Sequence, residues 1–370
     1  MDFSGLRRIL VCLRYGIGDV VMETPVLLAL RRAAPRARIA ALGAAPATEL
    51  VARNQGVDDV VDVQGFGLRH WEDHGDAAIT AKVERWLDER NFDAVLDVSH
   101  AVACVRLALW RRGGLFLDSG EGSLPTTLAR NGSGQDAVIE DIRRGWGLDM
   151  GPAGPAVRPS LVLEADEREK AALVLRGLGL ADDDQAVVVS AVASSPLKRW
   201  PEERLARVAD MVVDERDCPV LILAGPEARA AQRVLAAMRR QDRVRLADRL
   251  PLRITAAVLS RCRALVCNDT GLMHMAASVG TPALAVFGPT DARIYLPRHA
   301  GCIAVEPGVD CPLRRREIFG PPACIVAGHC LYPDLGGPGG CVTHVPTESV
   351  VDAFRRMGAT IQEEEKRHVA

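Results

Sequence analysis

The sequence predicts an α/β protein of two domains, each a doubly wound parallel sheet with helices on both faces. Three observations carry this. Short apolar runs alternate with amphipathic stretches along most of the chain, the pattern of repeated βα units. The runs are continuous rather than alternating in polarity, as expected of strands buried on both faces. Finally, 370 residues exceed what one ordinary hydrophobic core organises.

The elements follow in order. Arg8–Arg14 is a continuous apolar strand that runs into Tyr15-Gly16-Ile17-Gly18-Asp19 and then a helix carrying Val20, Val21, Leu27, Leu28 and Leu30. Gly16 and Gly18 permit a tight turn and a close approach to a ligand. The third glycine of a dinucleotide fingerprint is missing, which argues against an NAD-dependent oxidoreductase. Asp19 reads either as a helix cap or as a functional carboxylate. Ala37–Leu42 and Val57–Val63 read as strands around a helix at Ala47–Asn54. Gly65–Gly75 is a loop holding His70 and His74, followed by a helix over Asp76–Arg90, a strand over Phe92–Val98 and a helix near Val102–Arg111. Ligands of such sheets bind beyond the carboxyl ends of the strands. His70 and His100 are therefore candidate acceptor contacts, together with Gly16 and Gly18. Gly113–Gly134 reads as an irregular surface segment and Asp136–Gly147 as a helix. The Pro/Gly cluster Gly151–Pro155 is the expected linker, which sets domains at 1–150 and 151–345, with a C-terminal helix and tail at 346–370.

The second half opens with a helix over Asp166–Gly177 and a strand over Ala186–Ala191. That strand ends in Ser194-Ser195-Pro196-Leu197-Lys198-Arg199-Trp200-Pro201, where hydroxyls and an ammonium group could hold a diphosphate; Trp200 could simply seal the domain edge. The strand Pro219–Ala224 turns through Glu227 into a helix over Ala228–Arg239. Val244–Leu246 and the helix Ile254–Cys262 follow. Next comes Val266-Cys267-Asn268-Asp269-Thr270-Gly271-Leu272-Met273-His274, a strand, a tight turn and a helix. A helix N-terminus at a strand end is a natural anion site. Asp269 or Thr270 could equally be an ordinary cap. The strand Ala283–Phe287 ends in Gly288-Pro289-Thr290-Asp291. Four strand ends in one domain thus carry polar or glycine-rich turns, which points to a nucleotide-type pocket.

Three segments resemble glycosyltransferase family 9, the group that includes lipopolysaccharide heptosyltransferases. They are Ile9–Pro25 with Gly-Ile-Gly-Asp-Val-Val, Lys198–Pro201 with Lys-Arg-Trp-Pro, and Asn268–Pro289 with Asn-Asp-Thr-Gly-x-x-His through Phe-Gly-Pro. The resemblance covers about residues 8–295 and implies the GT-B fold, two Rossmann-like domains facing a cleft. It implies an inverting glycosyl transfer without a required metal or other cofactor, from a nucleotide diphosphate sugar to a saccharide or glycolipid hydroxyl. ADP-heptose is the expected donor. By motif, Asp19 matches the base. Lys198, Ser194 and Ser195 match the phosphate contacts, Asp269, Thr270, Gly271 and His274 the diphosphate and sugar contacts, and Glu227 the nucleoside contact. The alternative from another class is a non-catalytic sugar-nucleotide-binding protein on the same fold.

Composition narrows the partners. Hydrophobic residues at 48% and charged residues at 25% describe an ordered globular chain. A net charge of -2 offers no footprint for nucleic acid, and Arg314-Arg315-Arg316 reads as solvated surface. No apolar run approaches the roughly 18–20 residues of a membrane span, and no signal peptide is evident, so the expected place is the cytoplasm. Peripheral contact with the inner membrane stays open. Cys302–His344 holds five of the ten cysteines. Zinc on Cys311, Cys324, Cys330 and Cys341, disulfides, or unrelated thiols are the readings, and irregular spacing disfavours zinc. Pro346–Met357 reads as a closing helix and Gln362–Ala370 as a frayed tail.

Overall fold

The computed structural model describes residues 3–14, 16–53, 56–68, 77–98, 115–118, 148, 158–181, 184–225, 228–297, 301–314, 322–337 and 339–369. Its contacts divide the chain into two compact units, Met1–Val162 and Leu163–Ala370. The expected linker Gly151–Pro155 lies outside the described residues, as do the helices expected near 102–111 and 136–147.

In the first unit five parallel strands stand in the order β3-β2-β1-β4-β5. They are β1 (Arg8–Cys12), β2 (Arg38–Gly43), β3 (Asp59–Asp62), β4 (Ala94–Asp97) and β5 (Leu115–Asp118). Central β1 shows why its sequence is apolar throughout. Ile9 and Val11 enter one hydrophobic cluster with Val20, Leu27 and Leu30, while Leu10 and Cys12 enter the opposite one with Leu42, Val83 and Leu87. Period-two side chains on a strand covered from both sides leave no position for a polar residue. The helix Ile17–Ala33 follows and contains Pro25. Proline has no N–H for the carbonyl four residues back, and the Thr24 hydroxyl donates to that Val21 carbonyl at 2.8 Å instead.

Two sequence expectations change here. The expected helix Ala47–Asn54 is a single 3₁₀ turn, Ala47–Leu50. The expected irregular segment 113–134 contains β5, which pairs with β4 from Ala94↔Leu115 to Asp97↔Asp118. Leu-Phe-Leu is too short to announce a strand locally; its neighbour β4 completes it.

In the second unit six parallel strands stand in the order β11-β10-β9-β6-β7-β8. They are β6 (Val187–Ser190), β7 (Val220–Leu223), β8 (Val244–Ala247), β9 (Ala264–Asn268), β10 (Ala283–Val286) and β11 (Ile303–Val305). β11 is a further strand that the sequence reading missed. The closing helix runs from Thr347 to Val369, so the expected frayed tail is helical almost to its end. Gln, Glu, Lys and Arg are good helix formers, which accounts for the extension. Val350, Ala353, Phe354 and Met357 bury this helix in the same core as β6, β7, β9 and β10. Trp200 does not seal an edge: it is fully buried in that core, and its indole N–H donates to the Val345 carbonyl at 3.1 Å. Arg314 is likewise buried rather than solvated, donating to the Gly288 and Pro307 carbonyls and to Glu306.

Candidate functional site

The strand orders locate the sites. In each unit the chain reverses its direction of winding beside the first strand, between β1 and β4 and between β6 and β9. Crevices at such switch points, beyond the strands' carboxyl ends, are where open α/β sheets bind ligands. Among the described residues singled out by motif, Asp19 falls at the first of these places and Lys198, Asp269 and His274 at the second.

In the second unit, β6 leads to Lys198 and β9 to Asp269. The Lys198 ammonium lies 2.7 Å from the Asp269 carboxylate, and the Thr290 hydroxyl donates to the same oxygen at 2.6 Å. Tyr295 stands beside the lysine, its ring centroid 6.0 Å from Nζ. The helix Gly271–Ser278 starts here with Thr270 in extended conformation, and no side chain caps it. The cap reading of Asp269 and Thr270 is therefore not what the structure shows, since Asp269 spends its carboxylate on Lys198 and Thr290. His274 lies in the first turns of that helix and is 5% exposed, and its buried Nδ1 has no hydrogen-bond partner among the described residues. Burial, with the Lys198 charge, pushes its pKa down to about 4 against the opposing pull of Asp269. His274 is thus a neutral imidazole near pH 7, able to give or take a hydrogen bond but carrying no charge.

The loop that carries Lys198 is fastened from several sides. Asn268 accepts from the Trp200 amide at 3.0 Å and donates to the Ala191 carbonyl at 3.0 Å, tying the ends of β9 and β6 together. Gly288 lies so close that a Cβ there would stand 2.9 Å from the Leu197 carbonyl oxygen and from Val342. Only glycine lets the β10 turn and the Lys198 loop meet. Ser195 caps the 3₁₀ turn Pro196–Lys198, accepting from the Leu197 amide at 3.3 Å, and Ser194 is exposed. Ser195 therefore already has a structural task. Glu227 lies outside the described residues.

In the first unit, Asp19 occupies the third position of the helix Ile17–Ala33, whose N-terminal neighbour Gly16 makes no side-chain cap. A Cβ on Gly16 would collide with the Asp19 carboxylate, so this glycine makes room for an acid rather than for a ligand. Gly18 precedes Asp19 in the first helical turn. Behind Asp19 lies Arg14, whose guanidinium is 4.0 Å from the Asp19 carboxylate and 3.6 Å from that of Glu23. Asp97, at the end of β4, is fully buried nearby and raises the Glu23 pKa. His70 and His100 lie outside the described residues.

Sequence reasoning missed Arg14, Glu23, Asp97, Asn268 and Thr290 as members of these sites. An acidic residue on an otherwise apolar helix face was the available signal for Glu23. Thr290 sat in a motif already quoted. In the C-terminal segment Cys311, Cys324, Cys330 and Cys341 do line one cavity, together with Leu197, Pro289 and Tyr332. The cysteines among the described residues are free thiols, and no three His, Cys, Asp or Glu residues there come together to hold a metal.

Two parallel-sheet α/β units, each with polar side chains gathered at its switch point, place the chain in the GT-B class of two-domain folds. Residues 80–305 match the family described as glycosyltransferase family 9 (heptosyltransferase). The chain belongs to that family. Among relatives, lipopolysaccharide heptosyltransferase 2 of Escherichia coli K12 is 34% identical over 98 residues, which are 26% of this chain and 28% of the relative. The type 2 relatives are thus matched over about a third of their length or less. Lipopolysaccharide heptosyltransferase 1 of Escherichia coli K12 is 24% identical over 297 residues, 77% of this chain and 88% of the relative. Among solved structures, a family 9 glycosyl transferase from Veillonella parvula superposes with a TM-score of 0.73 at 21% identity, covering 96% of this chain and 98% of the other. The Escherichia coli ADP-heptose lipopolysaccharide heptosyltransferase II gives 0.68 at 19% identity, with 96% and 99% covered. Asp19 lies outside the span matched to the family, so its assignment stands on its motif and its surroundings. No helix among the described residues is long and apolar enough to cross a membrane.

Proposed function

We propose that this protein is an inverting glycosyltransferase that moves a heptose-like sugar from a nucleotide diphosphate sugar, ADP-heptose by preference, to a hydroxyl of a saccharide or glycolipid acceptor. The observation that carries the reading is the second-unit cluster: Lys198, Asp269, Thr290 and a neutral His274 with a partnerless buried nitrogen, all at an uncapped helix start. Lys198, the amides of the helix start and His274 are donors suited to an anionic, hydrogen-bonding ligand such as a sugar diphosphate, with Asp269 and Thr290 fixing the lysine. The names of relatives point the same way, since one Escherichia coli heptosyltransferase was solved with ADP and again with an ADP-2-deoxy-2-fluoro heptose.

In this reading Asp19 takes the proton of the acceptor hydroxyl as its oxygen attacks the anomeric carbon. The bond from that carbon to the diphosphate oxygen breaks, and the nucleotide leaves with the electron pair. Lys198 and the amides of the Gly271–Ser278 helix start offset the charge that grows on the departing diphosphate, and His274 donates a hydrogen bond. Asp269 does not touch phosphate, because a carboxylate would repel it; it holds Lys198 in place together with Thr290. No step calls on a metal. The acceptor's glycolipid character would put the work at the cytoplasmic face of the inner membrane.

Calorimetric titration with ADP, ADP-heptose, UDP and UDP-glucose tests the reading. ADP and ADP-heptose should bind, and Lys198→Ala should weaken their binding by roughly a hundredfold or more. A flat response to all four nucleotides would remove the proposal.

A further inference from the structure

The reaction above leaves one buried acid of the first unit unused. Glu23 lies one helical turn beyond Asp19, so both side chains leave the same face of the helix. It is 3% exposed, beside a buried Arg14. One Glu23 oxygen accepts from the Arg14 amide at 3.2 Å, and the other lies 3.6 Å from the guanidinium. The same guanidinium donates to the Val98 carbonyl at 3.2 Å and reaches Asp19 at 4.0 Å. One cation therefore stands between a part-exposed carboxylate and a buried carboxyl.

The groups facing Glu23 are Arg14 after β1, Asp19 on its own helix and Asp97 at the end of β4. Asp19 and Glu23 share one guanidinium, and the buried Asp97 adds a further acid acting on Glu23, so ionising the buried Glu23 is costly. Burial, with the charges of Asp19 and Asp97, pushes Glu23 up to about 8 even though Arg14 pulls the other way. Glu23 is thus the member that keeps a proton at neutral pH.

We propose that Glu23 is a positioning residue for Asp19: it fixes Arg14 against the Asp19 carboxylate, and its own proton sets how much of that cation Asp19 retains. The proposal rests on Asp19 being the base. With Glu23 protonated, Arg14 serves Asp19 and holds it as a carboxylate ready for the acceptor. With Glu23 ionised, a second anion competes for Arg14, and the cation's hold on Asp19 loosens. The acceptor's proton goes to Asp19 in both states, and Glu23 touches no substrate.

Transfer kinetics of wild type, Glu23→Ala, Glu23→Gln and Asp19→Asn across neutral and mildly alkaline pH test this. Wild-type kcat should show an inflection near pH 8, where Glu23 titrates. Glu23→Ala should lose roughly tenfold or more in kcat with the donor KM unchanged. Glu23→Gln, which keeps an acceptor for the Arg14 amide, should regain most of that loss and lack the inflection. An inflection that survives in Glu23→Gln, or wild-type kcat and pH profile in Glu23→Ala, overturns the proposal. Full activity in Asp19→Asn would instead remove the base reading on which it stands. A readout that needs no substrate is the carboxyl titration of glutamate-labelled protein by isotope-edited infrared spectroscopy. A carboxyl titrating near pH 8 in wild type and missing in Glu23→Gln is expected, and its absence from wild type overturns the proposal.

Discussion

The two switch points share a backbone plan and carry opposite chemistry. At the first, one guanidinium lies between a part-exposed Asp19 and a buried Glu23, with the buried Asp97 acting on Glu23, an excess of acids. At the second, one carboxylate is matched by Lys198 and Thr290 beside a neutral imidazole and a helix start. The first arrangement suits a group that takes up a proton, and the second suits one that receives an anion. Parallel βα units supply the geometry in both, while the side chains at the strand ends decide its use.

Lys198→Ala should have the largest effect. Donor affinity should fall by roughly a hundredfold or more in calorimetry. Asp269, whose side chain is only 6% exposed, would be left without its cation, so thermal unfolding should show a loss of about 3–5 kcal/mol. If affinity held, the second switch point would not be the anion site.

Asp19→Asn should come next, lowering kcat by roughly 10²–10⁴-fold with donor affinity intact. That split between the two measurements is what separates the two switch points. A matching loss of donor affinity would erase the separation.

Gly16→Ala sharpens the comparison within the first site. The added Cβ displaces the Asp19 carboxylate, so kcat should drop by about tenfold to a hundredfold while the melting temperature barely moves. An unchanged kcat would mean that the placement of Asp19 is not critical.

The pH dependence of stability should run in opposite directions at the two sites. His274 has a folded pKa lowered from 6.5 to about 4, so the folded state resists a proton that the unfolded chain accepts. Stability is therefore lost as pH falls from 6.5 towards 4, and His274→Gln should flatten this limb of a denaturation series. Glu23 has a folded pKa raised from 4.5 to about 8, so the unfolded chain releases a proton that the folded state keeps. Its contribution is lost as pH rises from 4.5 towards 8, and Glu23→Gln should flatten that fall in stability. The smallest effect is expected for Thr290→Val, which removes one of the two partners of Asp269 and should cost about 1–2 kcal/mol of stability by denaturant titration.

Much of the fold was legible because each strand is buried on both faces and so announces itself as an apolar run. Arg8–Cys12, Val220–Leu223 and Ala264–Asn268 needed no context to be read. β5 and β11 escaped because three apolar residues are too few to signal a strand and only their neighbours in the sheet complete them. The candidate site divides in the same way. Residues set in local motifs, such as Asp19, Lys198, Asp269 and His274, were visible as strand-end polar groups. Arg14, Glu23 and Asp97 were not, because each matters through a partner brought near by the fold.

What the sequence determined alone is the alternation that makes two parallel sheets and the identity of the polar groups at their carboxyl ends. The strand order, and with it the two switch points, was decided by tertiary pairing, which leaves no mark in local periodicity. So was the use of each charge: that Asp269 holds Lys198 rather than capping a helix, and that Glu23 is buried beside Arg14. Burial and proximity set those roles, and both are properties of the folded chain.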